Sequence, residues 1–389
     1  MSLTTSFPVS ASTTIAAPAA RKTSRPGVLP SLTPLRGIAA LWVILYHFTW
    51  QYFPQLNSEP FTQAIAKGYL AVDLFFLLSG FVLTHVYLTS FARRVTPQGY
   101  RAFLAARVAR IYPLHLFVLA LFLLVEIAFA RGFPSIPLEG PRSFAAFFAN
   151  IFMLQGLEAG ELSWNYPAWS ISLEFIAYLL FPLALPLLWS SARVVRSLVM
   201  LVLLAALVWL AQSTEDHLNQ WDGPLALLRC LPEFFLGSLA YAIYRSGLLA
   251  RLFEKDLTLL LAFAGVGLAM HVGAPDLWAV PLFLLLILSA VSNRERAAGF
   301  LNVRPLVWLG DVSYSIYLVH GFVQYAMGRL LPAFFGSDDP GLLSFDWSLG
   351  LMTGMLVVTF LLSALTYRFV EVRGRSYMRA RLKPRAART

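Results

Sequence analysis

Arg36 and His47 stand eleven residues apart in LTPLRGIAALWVILYHF, residues 32–48, a run that is otherwise almost wholly apolar. Three turns of α-helix take about 10.8 residues, so a helix here puts guanidinium and imidazole on one face, about 16 Å apart. Ionisable residues inside apolar spans cost roughly 2.5–3.5 kcal/mol each on insertion scales and mark functional candidates. Four more groups share this property: Asp73 in GYLAVDLFFLLSGFVL, Glu174 in PAWSISLEFIAYLLFP, the i,i+4 couple Arg229 and Glu233, and His320 in GDVSYSIYLVHGF. A histidine oriented by a carboxylate is a general base, which His47 with Asp73 or Glu174 could form. Arg107 and Arg110, i,i+3 neighbours in RAFLAARVARIYPLH, suit a phosphate-bearing ligand beside Arg36 through paired guanidinium contacts. Plainer roles stand beside these: structural hydrogen bonding for His47 and His320, helix bridging for Asp73, a local ion pair for Arg229 and Glu233, and interfacial anchoring for the arginines.

The elements that must position these groups are membrane helices. The chain of 389 residues is 58% hydrophobic and only 13% charged, where soluble domains average about 25% charged. Its mean hydropathy of +0.67 excludes an ordinary cytosolic globule. The apolar runs lack the alternation of barrel strands, so the expected class is all-α and polytopic. Ten spans are expected, at about 35–53, 68–88, 111–131, 168–189, 195–212, 224–244, 257–273, 277–292, 306–332 and 347–368. The run at 143–156 is short for a span and reads as re-entrant or interfacial.

Charge selects that count. With ten spans and both termini cytoplasmic, most of the 30 basic residues face inward, including the clusters at 93–110, 245–255, 294–304 and from Arg368 onward. The acidic loops TEDHLNQWD and GSDDP then face outward. The formal charge of +10 therefore records topology, not nucleic-acid binding. This orientation puts Arg36 at the inner edge of the membrane and His47, Asp73 and Glu174 in its outer half, where one core could collect them.

Residues 1–31, rich in Ser, Thr, Ala and Pro, read as a disordered cytoplasmic tail. Residues 32–368 read as one membrane domain and 369–389 as a basic tail that meets anionic lipid headgroups. One cysteine, Cys230, excludes an intramolecular disulfide and a cysteine-clustered metal site. No nucleotide-binding loop accompanies the spans.

These blocks, taken together and in order, resemble the membrane-bound acyltransferase-3 family. The Arg-x10-His pattern falls on Arg36 and His47. AVDLFFLLSGFVL carries Asp73, Phe75, Phe76, Ser79 and Gly80; RVARIYPLH carries Arg107, Arg110 and Pro113. WSISLEFIAYLLFP matches through Trp169, Ser170, Ser172, Glu174 and Pro182, and LGDVSYSIYLVH through Ser313, Tyr314, Tyr317 and His320. The resemblance implies an integral-membrane O-acyltransferase in the cell's inner or plasma membrane. It implies a cytoplasmic acyl-CoA donor, commonly acetyl-CoA, used as co-substrate with no resident cofactor or metal. The acceptor is then a hydroxyl of a carbohydrate or a lipid-linked glycan. Arg36, Arg107 and Arg110 would hold the donor phosphates, and His47, Asp73 and Glu174 would carry the chemistry. His320, Tyr317, Trp169 and Ser172 are secondary candidates. Some members carry a fused esterase-like domain that completes transfer. None is evident here, so direct transfer or hand-over to a separate protein is expected. The runner-up reading is a secondary transporter of a lipid-linked sugar or acyl group, although the inverted repeats and broken helices of such folds are not evident.

Overall fold

The computed structural model describes residues 29–382 except 60, 133–141, 159–162, 191, 215–216, 220–222 and 336–339. Most of the expected N-terminal tail, the last residues of the basic tail and the cores of both acidic loops lie outside the described residues. The described residues form helices and connecting turns, with no strand among them.

The first helix, α1 (Leu32–Tyr52), carries both Arg36 and His47. It is followed by α2 (Ala71–Phe91), the long α3 (Pro97–Gly132) and the short α4 (Phe144–Ile151). Next come α5 (Trp169–Ser190), α6 (Arg193–Gln212) and α7 (Leu227–Ser246). The short α8 (Ala250–Phe253) precedes α9 (Asp256–His271), α10 (Ala279–Ser292) and another short helix, α11 (Ala297–Leu301). The chain ends with α12 (Arg304–Asp311), α13 (Ser313–Phe335), α14 (Phe345–Thr366) and α15 (Val372–Leu382).

Six helical stretches are long and apolar enough to cross a membrane, or seven if the bent pair α12–α13 counts as one span. The expected ten is therefore not matched by length and apolarity alone. Helix α1 has the length, 21 residues, but Arg36 and His47 lower its apolarity. Helices α9 and α10 are apolar but short. The expected continuous span at 306–332 is broken, with α12 and α13 meeting at 63°. At 143–156 only the eight residues of α4 are regular helix. The chain beyond them turns back through irregular backbone, with Met153 and Trp164 at positive φ.

Two glycines set the tightest helix crossing. A Cβ at Gly80 would lie 1.7 Å from the Phe234 carbonyl oxygen, and one at Gly237 would lie 2.0 Å from that of Leu77. Helices α2 and α7 thus meet backbone to backbone, as small residues permit in membranes. The same crossing contains a buried ion pair: Arg229 donates to both oxygens of Asp73, at 2.7 and 2.6 Å. The local Arg229–Glu233 pair expected from i,i+4 spacing is replaced by this interhelical one. Glu233 is fully buried and lies beside the Asp73 carboxylate of this ion pair.

Candidate active site

A cleft of about 160 Å³ opens among α1, α2, α3, α5 and α13. Arg36, Arg107 and Arg110 stand in its wall; Glu174, Tyr178 and Ser79 follow, then Ser170 and Tyr317. The three arginines come together because α1 and α3 each present a basic face at the end where the sequence expects cytoplasm. Arg107 lies over the rings of Tyr87, Phe103 and Tyr178, with its carbon 5.6–5.8 Å from each centroid. Buried Nε atoms of Arg36 and Arg107 have no hydrogen-bond partner among the described residues. Arg110 differs: its guanidinium is ion-paired with the buried Glu371, whose other oxygen accepts from Ser315 at 2.9 Å. The arginine trio is therefore two guanidiniums with open donor capacity and one held by a carboxylate.

Glu174 is in this cleft, where Tyr178 donates to it at 2.6 Å from the next turn of α5. Asp73 is bound by Arg229 on the α2–α7 crossing. Neither carboxylate is the hydrogen-bond partner of His47. The expected union of His47, Asp73 and Glu174 in one cluster is corrected accordingly. Covalent spacing placed them at similar depths, but their side chains leave their helices towards different neighbours.

The partner of His47 is His320. Its Nε2 lies 3.1 Å from His47 Nδ1, with the rings stacked at 5.1 Å between centroids. On the other side, His320 Nδ1 faces the Ile316 carbonyl at 3.3 Å. A carbonyl only accepts, so this geometry assigns the proton to His320 Nδ1 and leaves Nε2 an acceptor. His47 then carries its proton on Nδ1, which leaves Nε2 the unprotonated nitrogen. Tyr166 closes the other face of His47 edge-on at 5.0 Å and donates to Gln324 at 2.5 Å. Gln324 in turn donates to the His47 backbone carbonyl at 3.2 Å.

Neither histidine of this pair lines the cleft, and the link between the two is Tyr317 in the cleft wall. Its hydroxyl shares a 2.7 Å hydrogen bond with Ser170, and its ring stands 5.8 Å from that of His320. The other secondary candidates hold the wall in place. Trp169 lies 5.9 Å from the Arg229 guanidinium. Ser172 accepts from the Gly156 amide at 3.1 Å and donates to the Met153 carbonyl at 2.6 Å, pinning the returning segment to α5. Beyond His47, at the far end of α1, Thr49, Trp50, Pro54, Asn57 and Ala66 line a second cavity of about 170 Å³.

Sequence reasoning missed Tyr178, Tyr166 and Glu371. Tyr178 had a readable signal, since it sits four residues after Glu174 and shares its helix face. Tyr166 and Glu371 had none, because each reaches the site only through contacts distant in sequence.

A family model described as an acyltransferase domain matches residues 29–368. The chain is 29% identical over 378 residues to the acyltransferase MdmB of Streptomyces mycarofaciens, with 88% of this chain and 90% of that protein covered. It is 25% identical over 381 residues to the O-acetyltransferase OatA of Staphylococcus aureus, but the match takes in 57% of that longer protein and 89% of this chain. A third relative, protein 2 in the picA locus of Rhizobium radiobacter, is 31% identical over 196 residues, 47% of this chain and 94% of its own length. No solved structure matches. With the family match running from ahead of α1 to beyond α14, the chain is a multi-pass membrane enzyme belonging to the acyltransferase-3 family.

Proposed function

We propose that the protein transfers an acetyl group from acetyl-CoA to a hydroxyl of a carbohydrate or lipid-linked glycan, in the inner or plasma membrane. The observation that carries this reading is a cleft that holds Arg36, Arg107 and Arg110 together with Tyr317, whose ring contacts His320 of the His320–His47 pair. The arginines bind the donor phosphates and the narrow cleft takes the pantetheine arm. Phe75, Phe76 and Val82 in its wall supply apolar contact along that arm. The acceptor enters from the opposite end, where Trp50 is 62% exposed beside Thr49 and Asn57. An aromatic face with amide and hydroxyl groups suits a sugar ring.

In the reaction His47 Nε2 takes the proton of the acceptor hydroxyl as its oxygen attacks the thioester carbonyl. The carbon–sulfur bond breaks, and the imidazolium returns the proton to the departing thiolate. His320 holds His47 in the tautomer that leaves Nε2 unprotonated. His320 is buried and His47 partly so, which limits the access of water to the reacting atoms. The name of OatA, O-acetyltransferase, supports acetyl transfer to oxygen. The purified protein with radiolabelled acetyl-CoA and a carbohydrate fraction from its host is expected to release CoA and label the fraction. Binding of acetyl-CoA without CoA release would overturn the reading.

The orientation proposed is ten crossings with both termini in the cytoplasm. The six long stretches, α1, α9, α10 and the bent pair α12–α13 supply those crossings, with the shorter ones fitting a locally thinned bilayer. A cysteine placed at Asn219 is expected to react with an impermeant thiol reagent added outside intact cells, and one at Arg296 only after permeabilisation. External labelling at Arg296 would reverse the orientation and put the arginine end of the cleft on the wrong side for acyl-CoA.

A further inference from the structure

The start of the expected basic tail is helix α15, and it is packed on the membrane domain. A Cβ at Gly374 would lie 2.5 Å from the Pro113 Cβ, so α15 touches α3 one turn beyond Arg110. The Arg110–Glu371 ion pair ties the same junction together, where the chain makes a π-helical turn at Tyr367–Glu371. From there Val372–Leu382 carries Arg373, Arg375, Arg379 and Arg381 with no acidic residue.

These four arginines are of two kinds. Arg373 lies over the Phe369 ring at 4.9 Å, and Arg381 over that of Tyr377 at 5.3 Å. The side chains of Arg375 and Arg379, i,i+4 on one face, make no hydrogen bond or ion pair among the described residues. Arg375 is half-buried and within electrostatic reach of Arg110, Arg379 and Glu371, whose carboxylate is already ion-paired with Arg110. The row Arg36, Arg107, Arg110 inside the cleft therefore continues outside it as Arg375 and Arg379.

Size supplies the second argument. A cavity of about 160 Å³ is comparable with one that holds a single benzene-sized group. The whole donor far exceeds this volume, so with its pyrophosphate at Arg36, Arg107 and Arg110 its adenosine and 3′-phosphate lie outside the cleft. The nucleotide end of the donor must lie on the surface at the arginine end, and α15 is there. We propose that Arg375 and Arg379 bind the 3′-phosphate of the donor's adenosine, an inference that rests on the acyl-CoA reading above. A dianionic phosphate between two guanidiniums that are in no direct ion pair among the described residues is a charge-assisted contact of the strong kind.

The test is equilibrium binding of acetyl-CoA and of 3′-dephospho-acetyl-CoA to the full chain in phosphatidylcholine nanodiscs. The wild type is expected to prefer the phosphorylated donor by about tenfold. In Arg375→Ala with Arg379→Ala the acetyl-CoA affinity falls to the dephospho level, while that of the dephospho donor stays within about twofold. Arg373→Ala with Arg381→Ala keeps the preference. The overturning results are a wild type that does not discriminate, or discrimination that survives the double substitution. Loss of co-purifying phosphatidylglycerol with the discrimination intact assigns the two arginines to lipid headgroups instead. Absence of acetyl-CoA binding in the wild type overturns the donor reading itself and this inference with it.

Discussion

Replacing His47 with alanine is expected to lower turnover by about 10²–10⁴-fold while acetyl-CoA still binds. In the proposed mechanism the imidazole supplies Nε2, and the arginines proposed to bind the donor line a cleft that His47 does not, so binding and chemistry separate. His320→Ala is expected to cost less, because His320 acts through the tautomer and orientation of its partner. His320→Gln recovers part of that loss, since the amide oxygen can accept from His47 Nδ1–H as His320 Nε2 does. Rescue by the amide separates orientation from simple filling of space, for His320→Leu fills the site without an acceptor. Single-turnover rates and donor affinity, measured together on each variant, check the set. A folded His47→Ala protein with near-native transfer makes His47 structural and moves the search for the base to Glu174.

The second large effect concerns stability. Asp73→Ala leaves the Arg229 guanidinium buried without its carboxylate, and breaking a buried pair from one side typically costs about 3–5 kcal/mol. A loss of that size is expected to empty the folded fraction or sharply lower the thermal midpoint in detergent. Asp73→Leu combined with Arg229→Met removes both charges and is expected to recover most of the midpoint. The double variant also decides what Asp73 does. Retained acetyl transfer makes the pair structural, whereas a stable but inactive double variant returns Asp73 to the catalytic machinery. Glu233→Gln is expected to be mild, because the carboxamide keeps the shape of the buried side chain and can still donate to the neighbouring Asp73 carboxylate.

The sequence by itself determined the solvent and the candidates. Apolar run length reports the membrane directly, because hydrocarbon accepts only segments whose backbone polar groups are satisfied internally. Charge cost makes ionisable residues in such segments rare, so Arg36, His47, Glu174 and His320 stood out without any knowledge of their neighbours. Helical periodicity also made Arg36 and His47 legible as one face, since that relation depends on a single helix. Partnership was not legible. Arg229 lies four residues from Glu233, yet it binds Asp73, 156 residues away, because glycines on α2 and α7 let those helices close to backbone contact. Arg110 finds Glu371 across 261 residues, and His47 finds His320 across 273. Periodicity fixes which way a side chain leaves its own helix; which helix it then meets depends on packing between elements far apart in the chain. The break between α12 and α13 and the contacts that seat Tyr166 against His47 were hidden for the same reason, although the run at 143–156 did read as re-entrant or interfacial. Their backbone departs from a regular span only because other helices, meeting them in three dimensions, satisfy the groups it exposes.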